Sequence, residues 1–325
     1  MAVKLFLNEI LYQLIPANFV KNNFMRFLIT GATGMVGQQL VKDCHQLGIG
    51  VNYLSTSREK LTKDDNYKGF YWNPAKQEID IACFEGVDII IHLAGANVAE
   101  RWTDAYKKEI LTSRTVTASL LYNSIKKHKF PIKQLVSASA IGCYPSSPTK
   151  LYSEDDVPAV SGSFIEEVVE AWENAADKFE ELTINVTKIR IGLVLAKQDG
   201  ALEKITQPIR YYAGAPLGSG EQWQSWIHIK DLSSLFIHCI KNQLYGVFNA
   251  VAPNPVTNKE MTQKIAKAIK KPLFLPNVPS FVMKLMLGEM STIVLSSQLV
   301  SSKKIEQTGF HFDYVCLEKA LEDLL

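Results

Sequence analysis

The sequence predicts an α/β fold, a doubly wound parallel sheet with a smaller, mostly helical C-terminal part, and three observations predict it. From Met25 to about Leu195, apolar runs that suit strands alternate with amphipathic stretches that suit helices. One run, "VDIIIHLAG", has an unbroken apolar centre, as in a strand covered on both faces. A glycine-spaced turn joins the first strand to the first helix.

In order, "RFLIT" reads as a strand and "MVGQQLVKDCHQLG" as a helix closed by Gly48. "VNYLSTS" and "GFYWNP" follow as strands, the second ended by Pro74, and then comes "VDIIIHLAG". A long helix, "DAYKKEILTSRTVTASLLYNSIKKH", precedes the strand "KQLVSASA", the helix "FIEEVVEAWENAADKFEEL" and the strand "INVTKIRIGLVL". Beyond Leu195, "DGALEKITQPIRYYAGAPLGSGEQWQ" is rich in Gly and Pro and reads as loop. "SWIHIKDLSSLFIHCIKN" returns to strand then helix, "GVFNAVAP" reads as one more sheet strand, and the remainder carries two or three helices broken at "KKPLFLPNVPS". The expected organisation is an N-terminal extension over 1–24, a sheet domain over 25–195 plus 228–252, and a smaller domain over 196–227 plus 253–325 that caps the carboxyl ends of the strands. Residues 1–24 lack the small-residue cleavage site of a secretory signal. They fit either an amphipathic helix packed outside or an upstream start that is not used, and the second is preferred because the first strand begins right after Met25.

Composition narrows the function. The 325 residues are 47% hydrophobic and 21% charged with a formal charge of +2, so no basic block invites nucleic acid. Five cysteines without a C-x-x-C pair, and six histidines without a ligand motif, predict reduced buried thiols and no metal. No apolar run approaches the ~20 residues that cross a bilayer. These features together predict a cytoplasmic protein with no nucleic-acid or membrane partner.

Gly31, Gly34 and Gly37 form G-x-x-G-x-x-G between a strand and a helix. Gly31 permits the sharp exit from the strand, Gly34 lets a pyrophosphate approach the backbone, and Gly37 allows close helix–strand packing. The amides at the helix start then face phosphates, which predicts dinucleotide binding in a Rossmann fold. NAD binding places an acid at the end of the second strand, where this chain has Ser57 and Arg58. An arginine fork beside a hydroxyl suits a 2′-phosphate, so the predicted cofactor is NADP(H).

The segments "ITGATGMVG", "STSR", "IIIHLAGANVAERW", "SASAIGCY", "WENAA", "GAPLGSGEQWQSWIHIKDL", "VFNAVAPNPVTNKE" and "TGFHFDY", in this order, resemble an extended or atypical short-chain dehydrogenase/reductase, in its NADP-binding epimerase-like branch. The match runs from Met25 to the C-terminus, and the segments "GSGEQWQSWIHIKDL" and "NAVAPNPVTNKE" are specific to the branch. The resemblance implies that the loop from Gly31 through Thr33, Gly34 and Met35 to Val36 meets the pyrophosphate, and that Ser57 and Arg58 meet the adenosine phosphate. It also implies that Leu93, Ala94 and Gly95 line the adenine side, and that Glu109, Arg114 and Val194 complete the site.

Active members of the wider superfamily use Tyr-x-x-x-Lys one helix after a serine. Here Ser139 supplies the serine, but the next helix opens with Phe164 and has Val168 four residues on, neither of which can exchange a proton. The literal Tyr122–Lys126 pair precedes the serine strand and reads as helix packing. Tyr144 and His228 are the remaining acid–base candidates, each with an alternative structural role: Tyr144 packing under a loop, His228 fixed where Asp231 caps a helix. Arg190 either binds an anionic substrate group or pairs with an acid. Two functions follow: an NADP(H)-dependent epimerase-like oxidoreductase of a small polar metabolite, by analogy a nucleotide sugar, or an NADP(H)-binding redox sensor without turnover. Monomer and homodimer both fit, the dimer through the helix ending near Lys127 and that from Phe164 to Leu182.

Overall fold

The computed structural model describes residues 25–156, 162–197 and 199–325, so the N-terminal extension lies outside the described residues. Seven parallel strands build the main sheet: β1 (Arg26–Thr30), β2 (Gly50–Ser55), β3 (Tyr67–Asn73), β4 (Ile89–His92), β5 (Gln134–Ala140), β6 (Asn185–Ile191) and β7 (Gly246–Ala250). Their spatial order is β7-β6-β5-β4-β1-β2-β3, with two short antiparallel strands, Lys63–Asp64 and Glu78–Ile79, beside β3. The order reverses between β1 and β4, where loops leave towards opposite faces.

Alternation along the strands supplies both faces of the sheet. Phe27, Ile29, Val51, Ile91, Val136 and Ile189 pack into one cluster with residues of α1 (Met35–Gln46) and of a helix over Ile229–Lys241. Leu28, Leu54, Ile90, Leu135 and Val186 join the opposite cluster, under α2 (Asp104–His128) and α3 (Phe164–Asp177). Caps fix the helix starts. The Thr103 side chain accepts from the Tyr106 amide at the head of α2, and Ser163 accepts from the Glu166 amide at the head of α3.

Three local expectations need correction. The strand read over "INVTKIRIGLVL" is two: β6 ends at Ile191, and Leu193–Leu195 pairs instead with Trp226–His228. Gly192 makes the break, because a Cβ there would lie 2.3 Å from the Ser225 carbonyl oxygen. The second strand stops at Ser55, and Arg58–Lys60 forms a single 3-10 turn beyond it. The stretch read as loop after Leu195 holds α4 (Gly200–Arg210). Leu202, Thr206 and Ile209 make its buried stripe at helical spacing, and Leu202 and Ile209 pack with Leu195, Trp226, Met261 and Ile265 in a separate core. Its Gly and Pro sit at the first and ninth positions, and the buried stripe outweighs their low propensity.

The helix over Ile229–Lys241, now α5, is followed by α6 (Asn258–Ala268), α7 (Ser280–Leu287), short helices over Ser291–Leu295 and Lys303–Gln307, and a final helix over Leu317–Leu324. That is more helices than the sequence pattern shows. Ile305 and Phe310 return to the sheet's own core cluster, whereas Leu317, Leu321 and Leu324 join the separate one. Cys44, Cys83, Cys143 and Cys239 are buried free thiols, and Cys316 is half-buried. Among the described residues no helix is long and apolar enough to cross a membrane, and no group of side chains could hold a metal ion.

Candidate functional site: the crevice between the first and fourth strands

The glycine turn leaves β1 as a tight cradle. Gly31 has φ +73°, and the Gly34 amide donates to its carbonyl at 3.0 Å. A Cβ on Gly31 would meet the Leu93 backbone at 3.0 Å, and one on Gly37 would lie 2.2 Å from the Gly31 oxygen. Gly34 is the N-cap of α1 and no side chain caps it, so the amides of Met35 and Val36 have no acceptor among the described residues. Thr33 is exposed, and its carbonyl accepts from Gln38 at 2.8 Å. The first turn of α1 carries no acid, so its partial positive charge is not offset.

The opposite rim is held by groups that sequence reading missed. The Thr30 hydroxyl accepts from the amides of Leu93 and Ala94, both at 3.1 Å, so its own proton goes to His92 Nδ1 at 2.8 Å. That assignment leaves His92 Nε2 as the proton-bearing nitrogen, 3.3 Å from Thr117 Oγ1. Burial pushes the imidazole down to about 4 and keeps it neutral. Ser113 Oγ accepts from the Ala96 amide at 2.8 Å. Arg114 is buried and turned inward: it donates to the carbonyls of Ile110 and Ala96, stacks over Trp172 at 4.7 Å, and lies where a Cβ on Gly95 would go. Burial pushes this guanidinium down to about 10. Glu109 is exposed on the same helix, so the structure does not bring these two side chains together.

Beyond the end of β2, on the other side of β1 from β4, Ser57 is half-buried, with its amide donating to Ser55 Oγ. Arg58 is exposed and lies 3.9 Å over the Tyr71 ring, with no carboxylate partner among the described residues. Tyr71 was not anticipated; the alternation of β3 is too irregular to mark it. Val194 is half-buried in the short strand pair, opposite Ile227.

The acid–base candidates separate into two places. Ser139, Arg190 and Asn249 form one row across β5, β6 and β7. Ser139 donates to Glu173 Oε1 at 2.6 Å, and Arg190 grips the same carboxylate at 2.8 and 3.0 Å. Arg190 also donates to the Tyr144 hydroxyl at 3.0 Å, and that hydroxyl donates to Asn249 at 2.9 Å. Arg190 therefore pairs with an acid. Burial raises the Glu173 pKa, but the Arg190 hydrogen bonds and charge outweigh it and hold the carboxyl below its usual range. Tyr144 is 1% exposed, and burial pushes its hydroxyl well above the usual range despite Arg190. His228 shares no partner with this row. It stacks on Tyr314 at 3.6 Å, and its Nδ1 accepts from the Lys230 amide. Its own ring thus caps α5, while Asp231 accepts from the amides of Asp313 and Tyr314. Burial pushes His228 down to about 4.

Phe164 packs edge-on against Trp102 at 5.0 Å, and Val168 is buried in α3. Tyr122 donates to Glu181 at the exposed far end of α2. Trp223 donates to the Pro148 carbonyl, which ties the Gly-rich segment to the loop after β5.

Comparison with known proteins agrees with this architecture. Residues 27–250 match the model of the NAD dependent epimerase/dehydratase family, and residues 278–324 match a domain of unknown function, DUF1731. An epimerase family protein of Staphylococcus aureus (strain MRSA252) is 38% identical over 301 residues, spanning 92% of this chain and 99% of the relative. The crystal structure of the human epimerase family protein SDR39U1 (isoform 2) with NADPH superposes with a TM-score of 0.81 at 30% identity, covering 92% of this chain and 99% of that one. UDP-N-acetylglucosamine 4-epimerase from Bacillus cereus, at 20% identity and a TM-score of 0.73 over 92% of this chain and 98% of its own, shares the fold. The chain belongs to the NAD-dependent epimerase/dehydratase family, in the epimerase-family branch of the atypical short-chain dehydrogenases/reductases.

Proposed function

We propose that this chain is an NADP(H)-binding, epimerase-like oxidoreductase that takes a small polar metabolite, a nucleotide sugar by fold analogy. One observation carries the reading: uncapped helix amides and a glycine cradle stand beyond the end of β1, and beyond the end of the neighbouring β2 stands Arg58, stacked on Tyr71 and without a carboxylate partner among the described residues. The residues present fit a phosphorylated adenine dinucleotide. Gly31, Thr33, Gly34, Met35 and Val36 hold the pyrophosphate, and Ser57 and Arg58 hold the 2′-phosphate. Leu93, Ala94 and Gly95 flank the adenine, and Arg114 sets that loop from below. Glu109 and Val194 close the two ends. The nicotinamide, when bound, supplies or accepts hydride. The human relative crystallised with NADPH supports the choice of cofactor.

Titration calorimetry with NADPH and NADH tests this. Arg58→Glu is expected to weaken NADPH about 10- to 100-fold, since a charge-assisted contact contributes about 1.5–3 kcal/mol, with NADH changed little. Failure of either NADP form to bind the native chain, or an unchanged preference in the variant, rejects the reading.

A second reading, an NADP(H)-dependent sensor without turnover, is favoured by one fact: the hydroxyls of Ser139 and Tyr144 are both donated to side chains of the protein itself, Glu173 and Asn249. Absorbance at the reduced-nicotinamide band, followed with candidate carbonyl substrates, separates the two. More than one NADPH oxidised per protein requires the enzyme.

A further inference from the structure

The helix α4 touches both rims of the crevice. Its first residue, Gly200, lies against the glycine turn, where a Cβ would sit 3.0 Å from the Met35 sulfur. One turn on, Lys204 Nζ donates to the carbonyl of Ala99 at 3.0 Å, in the loop that leaves β4. The two contacts span the point at which strand order reverses, which is where a dinucleotide crosses a sheet of this kind. Asp199 and Gly200 have φ of +63° and +79°, so the helix starts from two successive residues with positive φ. A second tie acts on the same rim: Lys107 of α2 pairs with Glu289, which follows α7. Lys204 is exposed and has no carboxylate partner among the described residues, so its ammonium keeps donors for a phosphate oxygen.

We infer that Lys204 is a cofactor-positioning residue: it latches α4 across the crevice and retains the dinucleotide beneath the helix. The inference rests on the cofactor reading above. A hydrogen bond between an exposed ammonium and a carbonyl is readily broken, so the latch slows release without blocking entry.

Two measurements test it. Stopped-flow displacement of bound NADPH is expected to show release roughly two- to fivefold faster in Lys204→Ala, restored by Lys204→Arg, with Lys107→Ala shifting in the same sense. Amide hydrogen exchange without nucleotide is expected to quicken at the first turns of α4 in Lys204→Ala while the main sheet stays protected. Unchanged exchange in Lys204→Ala overturns the latch, and so does unchanged release. Faster exchange in a chain that binds no NADPH upholds the latch on the helix and rejects the cofactor reading alone.

Discussion

At the ends of β1 and β2 the amides of Met35 and Val36 and the Arg58 guanidinium have no acceptor among the described residues, whereas along the same edge of the sheet, at the ends of β5 to β7, Ser139, Arg190, Tyr144 and Asn249 each donate to a defined partner. The second region is largely buried and carries the Arg190–Glu173 ion pair. The first carries helix amides and a guanidinium that no carboxylate meets among the described residues. On the proposed cofactor reading, open donors are left to meet an anion, whereas the closed network holds three strands in register. Polar residues at the carboxyl ends of parallel strands thus serve two different ends in one molecule, and only the partner of each donor tells which.

The contrast makes the two regions respond differently to substitution. The largest effect is expected at Glu173. Glu173→Gln leaves the buried Arg190 charge uncompensated and is expected to cost about 3–5 kcal/mol in urea unfolding, while NADPH affinity stays within about threefold. A loss below about 1 kcal/mol, or a collapse of NADPH binding in a folded variant, breaks the division between the regions.

An intermediate effect belongs to His92, which stands behind the crevice rim. Burial lowers its folded pKa to about 4, below the usual 6.5, so between those values the unfolded chain binds a proton that the folded chain refuses. Its contribution is fully present above pH 6.5 and is lost as pH falls through about 4, amounting to about 2 kcal/mol between pH 7.5 and 5. His228 acts in the same sense. Asp231, pushed up to about 6 by burial against two amide hydrogen bonds, acts in the opposite sense, stabilising the fold as pH drops from 6 towards 3.8. His92→Gln should therefore flatten the acid limb of the stability curve without removing it, and an unchanged slope sinks the assignment.

The smallest stability effect is expected at Arg58. An exposed cation stacked on one ring contributes little to folding, so Arg58→Glu should move the unfolding free energy by no more than about 0.5 kcal/mol while it changes cofactor preference. A larger loss would make the Arg58–Tyr71 contact structural.

Much of the cofactor side was legible in the sequence because it depends on neighbours in the chain. Gly31, Gly34 and Gly37 act through backbone geometry within a single turn, and the absence of an acid at Ser57–Arg58 is a matter of one strand end. The row from Ser139 to Asn249 was not legible, since its contacts join residues 34, 17, 46 and 105 positions apart. Nor was α4, where three buried positions outweigh an unfavourable Gly and Pro content.

By itself, then, the sequence determined the alternating order of strands and helices and the glycine cradle at the reversal point, because periodicity and steric limits act over a few residues. The tertiary structure alone decided that Arg190 faces Glu173, that Arg114 turns inward under Gly95, that His228 caps a helix, and that α4 reaches both rims. Each of those outcomes is set by which distant group satisfies a donor or covers an apolar stripe, and no local pattern encodes that choice.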